Sequence, residues 1–207
     1  YKETKDCSVV SFEIPSELKQ EYQFKQGQHL TLKAIIDGNE ERRSYSLCSS
    51  PLENKWRVAV KKLNGGLFST YVNDKLKKGD FLEVMTPSGI FNTEVNSSKA
   101  KNYIAFAAGS GITPLLSIIK THLAAELKST FKLFYLNRSV KSIIFKEEIE
   151  QLKIDVFTNL QYGDTVDNGL ITKILKSKAQ TPSYITKKLN DSNINMDNTS
   201  IDGYRRH

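Results

Sequence analysis

Arg43-Ser44-Tyr45-Ser46, inside the run RRSYSLCSSP at 42–51, puts a permanent cation, a planar ring and two hydroxyls within four residues. The segment reads as a β-strand, so Arg43 and Tyr45 point to one face and Ser44 and Ser46 to the other. Those groups suit a flavin dinucleotide: a fixed cation for the pyrophosphate, an aromatic face for the isoalloxazine, short polar groups for the ring nitrogens. Taken alone, they equally suit an edge strand with an exposed Arg and a half-buried Tyr.

Two glycine-rich turns add phosphate chemistry. Gly109-Ser110-Gly111-Ile112-Thr113-Pro114 follows an apolar strand and opens a helix. Glycines there let backbone amides approach a phosphate, the helix N-terminus adds a favourable dipole, and Pro114 needs no N–H in the first turn. Asn64-Gly65-Gly66-Leu67-Phe68-Ser69 is a second glycine-rich entry to a helix, readable as a phosphate site or as a hairpin turn. Arg138-Ser139 follows the next strand, where nucleotide domains recognise the adenosine ribose. With no Asp or Glu at 136–142, the pair favours a 2′-phosphate, hence NADP over NAD.

Other chemistries fit poorly. His29, His122 and His207 are far apart, and none lies near a cysteine or carboxylate cluster, so metal ligation is not expected. Ser110 lacks the GxSxG elbow of a hydrolase. Glu147, Glu148 and Glu150 read as the solvated side of a helix. Cys7 and Cys48 cannot hold an iron–sulfur cluster, which takes four ligands; two isolated cysteines suit a reduced, cytoplasmic protein.

The elements that must carry these residues fall into two halves with different patterning. From 7 to about 95 the chain gives short alternating segments, CSVVSFEI, HLTLKAII, RSYSLCS, WRVAVKKL and FLEVM, punctuated by turns such as Asp37-Gly38-Asn39. That pattern predicts a six-stranded antiparallel barrel with one helical interruption at Gly66–Val72. After Asn96-Ser97-Ser98, strands alternate with helices: a strand at 103–107 buried on both faces, a helix at 114–127, a strand at 131–136, a helix at 144–153, a strand at 154–160 and a helix near 170–176. A doubly wound parallel sheet follows from that order. The expected domains are 1–96 and 97–207, with a mobile stretch at 190–200 rich in Asn, Ser and Asp. No apolar run spans a bilayer. The net charge of +7 leaves open an acidic partner, a phosphorylated ligand or nucleic acid.

Taken in order, Arg43–Ser46, Val58-Ala59-Val60-Lys61-Lys62, Gly65–Ser69, Gly79-Asp80, Pro87-Ser88-Gly89-Ile90-Phe91 and Ala108–Pro114 resemble the ferredoxin–NADP⁺ reductase-like flavoenzymes over about residues 7–160. The wording around RRSYSLCSSP, VAVKKLNGGLFS and VMTPSGIF is similar to reductase components of ring-modifying oxygenases such as phenylacetyl-CoA epoxidase. The resemblance implies FAD and NADP(H) as cofactors and an electron-transfer activity. Arg43 would contact the FAD pyrophosphate, Tyr45 would stack on the isoalloxazine, and Ser44 and Ser46 would serve its polar edge. Gly65, Gly66, Leu67, Phe68 and Ser69 would hold phosphates. Thr113 and Gly109 would border the nicotinamide, Ser110, Gly111, Ile112 and Pro114 would belong to the same cofactor-binding turn, and Arg138 and Ser139 would lie near the adenosine phosphate; Tyr45, Ser46 and Thr113 would be the residues nearest the chemistry. The implied partners are a ferredoxin-like iron–sulfur protein or domain and an oxygenase, with no nucleic acid and no membrane. Two features depart from the pattern. Thr186-Lys187-Lys188 follows Tyr184-Ile185 where the family carries Cys-Gly-Pro, and a plant-type [2Fe–2S] domain is not among these 207 residues. A flavin-binding module with a degraded nicotinamide site is therefore an alternative, and a basic nucleic-acid-binding barrel is another.

Overall fold

Alternation in the first half becomes six strands: β1 (Lys2–Thr4), β2 (Cys7–Phe12), β3 (His29–Ile36), β4 (Asn39–Ser46), β5 (Trp56–Lys61) and β6 (Glu83–Val84), with helix α1 (Leu67–Asp74) between the last two. The computed structural model describes residues 1–160. Two antiparallel sheets form, ordered β1-β2-β5 and β4-β3-β6, and a bridge from Leu47 to Val58 joins them. The β3–β4 hairpin closes over Asp37 and Gly38, whose φ angles of 49° and 82° are the left-handed pair a two-residue turn requires. Ile36 consequently faces Asn39, and the register runs to His29 opposite Ser46. Between the sheets, Leu30, Leu32, Val58, Val60 and Phe68 are at most 1% exposed. Burial of each such side chain stabilises by roughly 1.5–3 kcal/mol.

The second half builds β7 (Asn102–Ala108), α2 (Ile112–Ala125), β8 (Thr130–Asn137), α3 (Lys146–Glu150) and β9 (Asp155–Leu160). The three strands are parallel in the order β7-β8-β9. Three expectations need correction. β7 is not buried on both faces: Ala105 and Ala107 are buried, but Phe106 is 40% exposed and stacks on Phe134, which stacks on Phe157. Helix α2 begins at Ile112, two residues early, because Gly109–Gly111 winds as a 3₁₀ turn directly into it. Helix α3 spans only five residues, since Ile143, Ile144 and Phe145 are core residues and Phe145 sits at φ 61°, outside helical space.

One core crosses the junction of the two halves. Cys7, Val9, Cys48 and Ala59 pack in the same cluster as Ile112, Leu116, Leu133, Tyr135 and Ile144. Residues 1–161 accordingly form one compact unit. Among the described residues no helix is long and apolar enough to cross a membrane. The helix read near 170–176, the strand at 184–185 and the stretch at 190–200 lie outside the described residues.

Candidate functional site

Strand β4 carries the Arg-Ser-Tyr-Ser group as its last four residues. Tyr45 pairs with buried Leu30 and Arg43 with buried Leu32, so both stand on the inward face, at its rim. Ser44 pairs with Thr31 on the opposite face, their hydroxyls 2.8 Å apart, and Ser46 lies across from His29. Burial pushes the Tyr45 phenol up to about 12, against the opposing charge of Arg43, so the ring stays neutral at physiological pH. It contacts the Phe68 ring at 6.0 Å between centroids, which ties β4 to α1. The Arg43 guanidinium is exposed; it donates to the Arg42 carbonyl at 2.6 Å and pairs with Glu41 at 3.0 Å. An exposed pair of this kind is worth at most about 1 kcal/mol, so exchanging it for a diphosphate costs little.

The turn at Asn64–Ser69 is shaped from inside. Ser69 Oγ accepts from Leu63 N at 3.1 Å and donates to the Gly66 carbonyl at 3.2 Å. A Cβ on Gly66 would stand 2.6 Å from Ser69 Oγ, which explains the glycine. Ser69 is 5% exposed, so its hydroxyl holds the amide loop in shape instead of presenting itself outward. Gly65, at φ 73°, has open space around it, and Leu67 is exposed. A shallow cleft of about 180 Å³ adjoins this turn, bordered by Gly65, Gly66, Leu67, Tyr71 and Ile36. That is room for a ring or a sugar, not for a whole dinucleotide. The exposed cation, the neutral ring and the open amide turn together fit the pyrophosphate and flavin ring of FAD.

The second turn lies at the carboxyl end of β7, where open α/β sheets bind ligands. Gly109 adopts φ 49° and accepts a 3.0 Å hydrogen bond from the Tyr135 hydroxyl. Gly111 caps α2 with no side-chain hydrogen bond among the described residues, and the first helical amide, Ile112 N–H, turns back to the Gly109 carbonyl. Thr113, 6% exposed, donates to the Ser110 carbonyl at 3.0 Å, while Ile112 and Pro114 are buried. Arg138 and Ser139 follow β8 on the surface, with Ser139 capping a short 3₁₀ turn.

Helix α2 and the segment after β4 are sewn together. Ser117 Oγ donates to the Ser49 carbonyl at 2.6 Å, and the Ser50 and Thr121 hydroxyls are 2.8 Å apart. Glu148, expected on a solvated face, is instead 2.9 Å from Arg57 and 2.6 Å from Lys120, which also pairs with Glu53. Burial works against its charge, but Lys120 and Arg57 outweigh it and hold its carboxyl below the ordinary range.

His122 is fully buried with Nδ1 3.2 Å from Glu126 and Nε2 2.6 Å from the Thr93 hydroxyl. Glu126 accepts from Asn96 N–H, Tyr103 OH and Ser129 OH. Although burial would raise it, these bonds hold Glu126 down to about 2. This cluster fixes the 93–96 connection between the halves. The i,i+4 spacing of His122 and Glu126 was readable on a helix, but Thr93 and Asn96 were not.

An antiparallel barrel with an Arg-x-Tyr strand, followed by a parallel sheet with a glycine turn, defines a flavin- and pyridine-nucleotide-dependent oxidoreductase. Residues 2–93 match the oxidoreductase FAD-binding domain family and residues 106–201 the oxidoreductase NAD-binding domain family. The chain belongs to the ferredoxin–NADP⁺ reductase type of oxidoreductase, built from those two domains. It is 46% identical to one of the subunits of 1,2-phenylacetyl-CoA epoxidase from Escherichia coli, over 82% of this chain and 49% of the relative. It is 37% identical to the ferredoxin reductase component of 3-ketosteroid-9-alpha-monooxygenase of Rhodococcus rhodochrous, over 73% and 42%. Among solved structures, phthalate dioxygenase reductase superposes with a TM-score of 0.67 at 26% identity, over 92% of this chain and 60% of that one. The chain spans about half the length of the curated relatives it matches. Two oxidoreductase domains displace the reading of a basic nucleic-acid-binding barrel.

Proposed function

We propose that the chain is an FAD-dependent NAD(P)H oxidoreductase, with an FAD-binding barrel over 1–96 and a nucleotide-binding domain over 97–207. It would draw electrons from NADPH and pass them to an iron–sulfur acceptor serving a multicomponent oxygenase, such as one acting on phenylacetyl-CoA. The observation that carries this reading is the placement of two glycine turns, each leading into a helix. One opens α1, whose Phe68 ring meets the neutral Tyr45 ring at 6.0 Å; the other ends the first parallel strand and opens α2. FAD, when bound, supplies the exchange between two-electron hydride and single electrons, which no side chain here provides.

The chain's own residues bind and orient. Arg43 leaves Glu41 for the pyrophosphate, Tyr45 offers its ring face, and Ser44 and Ser46 flank it along the strand. The amides of Gly65, Leu67 and Phe68 meet phosphate oxygens, in a loop held by Ser69 and by the Gly66 N–H bond to the Leu63 carbonyl. Gly109–Pro114 receive the nicotinamide half, with Thr113 and Gly109 closest, and Arg138 with Ser139 take the adenosine 2′-phosphate, which favours NADPH over NADH. Precise seating matters because hydride transfer needs donor and acceptor atoms within roughly 3–3.5 Å. We place this exchange in the cytoplasm, in keeping with the free thiols of Cys7 and Cys48.

A second reading, an FAD carrier without nicotinamide turnover, is favoured by Thr186-Lys187-Lys188 standing where Cys-Gly-Pro is expected. Anaerobic mixing of the FAD-loaded protein with NADPH separates the two. The oxidoreductase loses its visible flavin band within the mixing experiment; a carrier stays yellow, and that result would retire the first reading.

A further inference from the structure

Asn137 ends β8 with its side chain unsatisfied. The residue is 5% exposed, and neither its Oδ1 nor its Nδ2 finds a hydrogen-bond partner among the described residues. Buried side-chain amides almost always have partners, because leaving one orphaned forfeits its hydration without replacement. Alternation along the strand puts Asn137 on the same face as Tyr135, and the Tyr135 hydroxyl reaches the Gly109 carbonyl. Ala108 is opposite Leu136 in the parallel register, so Asn137 stands beside Gly109, where the glycine turn enters the 14-residue helix α2. Tyr135 is its polar neighbour but does not satisfy it. The single phenolic proton is shared between the Gly109 and Ile144 carbonyls, and the oxygen already accepts from Ile144 N–H. Beside the turn, positions Gly109 and Gly111 have no atom within 4 Å of where a Cβ would stand, so the approach is open.

We propose that Asn137 is a binding residue of the dinucleotide site, and that its partner is a ligand group which both donates and accepts hydrogen bonds. The inference rests on the dinucleotide reading above. Neither end of the carboxamide has a hydrogen-bond partner among the described residues, and that narrows the chemistry. Phosphate oxygens are acceptors and would satisfy Nδ2 alone, whereas a ribose diol or the nicotinamide carboxamide satisfies Nδ2 and Oδ1 together. The glycine turn and helix N-terminus take the charged phosphates, and Asn137 takes the neutral polar group beside them.

Calorimetric titration of wild type, Asn137→Leu and Asn137→Ala tests this, using NADPH, 2′,5′-ADP and nicotinamide mononucleotide as probes. Leu keeps the volume and removes both orphaned groups, so the ligand-free protein should melt roughly 3 °C higher while NADPH binds roughly tenfold or more weakly. The half-ligand whose binding falls in parallel identifies the partner: 2′,5′-ADP the adenosine side, nicotinamide mononucleotide the other. Asn137→Ala carries the binding comparison should the Leu variant misfold. NADPH binding unchanged in the folded variant overturns the role of Asn137, whatever the melting temperature does. A wild-type protein that binds neither NADPH nor NADH overturns the dinucleotide reading itself.

Discussion

Arg43 and Tyr45 differ in what they lose when truncated. Arg43 makes an exposed ion pair and an exposed bond to the neighbouring Arg42 carbonyl in the free protein, so Arg43→Ala should leave folding stability within about 0.5 kcal/mol yet weaken FAD retention by roughly 10–100-fold, as for a lost charge-assisted hydrogen bond. Tyr45→Ala should do both kinds of damage, because its ring also packs on Phe68. Visible absorbance after gel filtration, set beside thermal melting, checks the pair; full flavin content in both variants would contradict the site. Glu126 makes a prediction about acid. Its folded pKa, near 2, is below the usual value of 4.5, so its contribution is complete above 4.5 and is lost as pH falls toward 2. Glu126→Gln should therefore cost about 2 kcal/mol at neutral pH and flatten the acid limb of the stability curve. Chemical denaturation between pH 2 and 7 reads both effects.

At the level of elements, two glycines with the same φ should behave differently. Gly27 and Gly38 both sit at 82°, but a Cβ on Gly27 would stand 1.9 Å from the Phe91 carbonyl and 3.1 Å from Ile118 of α2, whereas Gly38 faces open space. Gly38→Ala should cost about 1 kcal/mol, the strain of the turn alone. Gly27→Ala should cost roughly 3 kcal/mol or more, because the new methyl must push aside the Phe91 backbone carbonyl. Melting temperatures of the two variants decide it. The barrel strands were legible because period-two alternation and the Asp-Gly turn act within a few residues. β1 was not: three residues carry no period, and pairing with β2 makes them a strand. The true length of α3 escaped because Ile143–Phe145 looks like helix until its burial under Tyr135 is known. Glu148 looked solvated because Arg57, its partner, is 91 residues away. The glycine turns could be read, but the orphaned Asn137 could not, since nothing local tells a satisfied amide from an unsatisfied one.

For the whole molecule, the shared core sets how the halves behave when parted. Residues 1–96 alone would expose Cys7, Val9, Cys48 and Ala59, which the described structure buries with Ile112 and Leu116. That fragment should be prone to self-association, eluting beyond its monomer volume on gel filtration and binding a hydrophobic dye. The full chain should be monomeric by comparison. A fragment that stays monomeric and dye-free would show that the barrel folds independently of α2.

The two cysteines carry a last consequence. Burial pushes both thiols up to about 12, so almost no thiolate exists at neutral pH, and the thiolate is the form that peroxide attacks. Sealed into the joint between the two halves, Cys7 and Cys48 are kept from peroxide for as long as the protein stays folded.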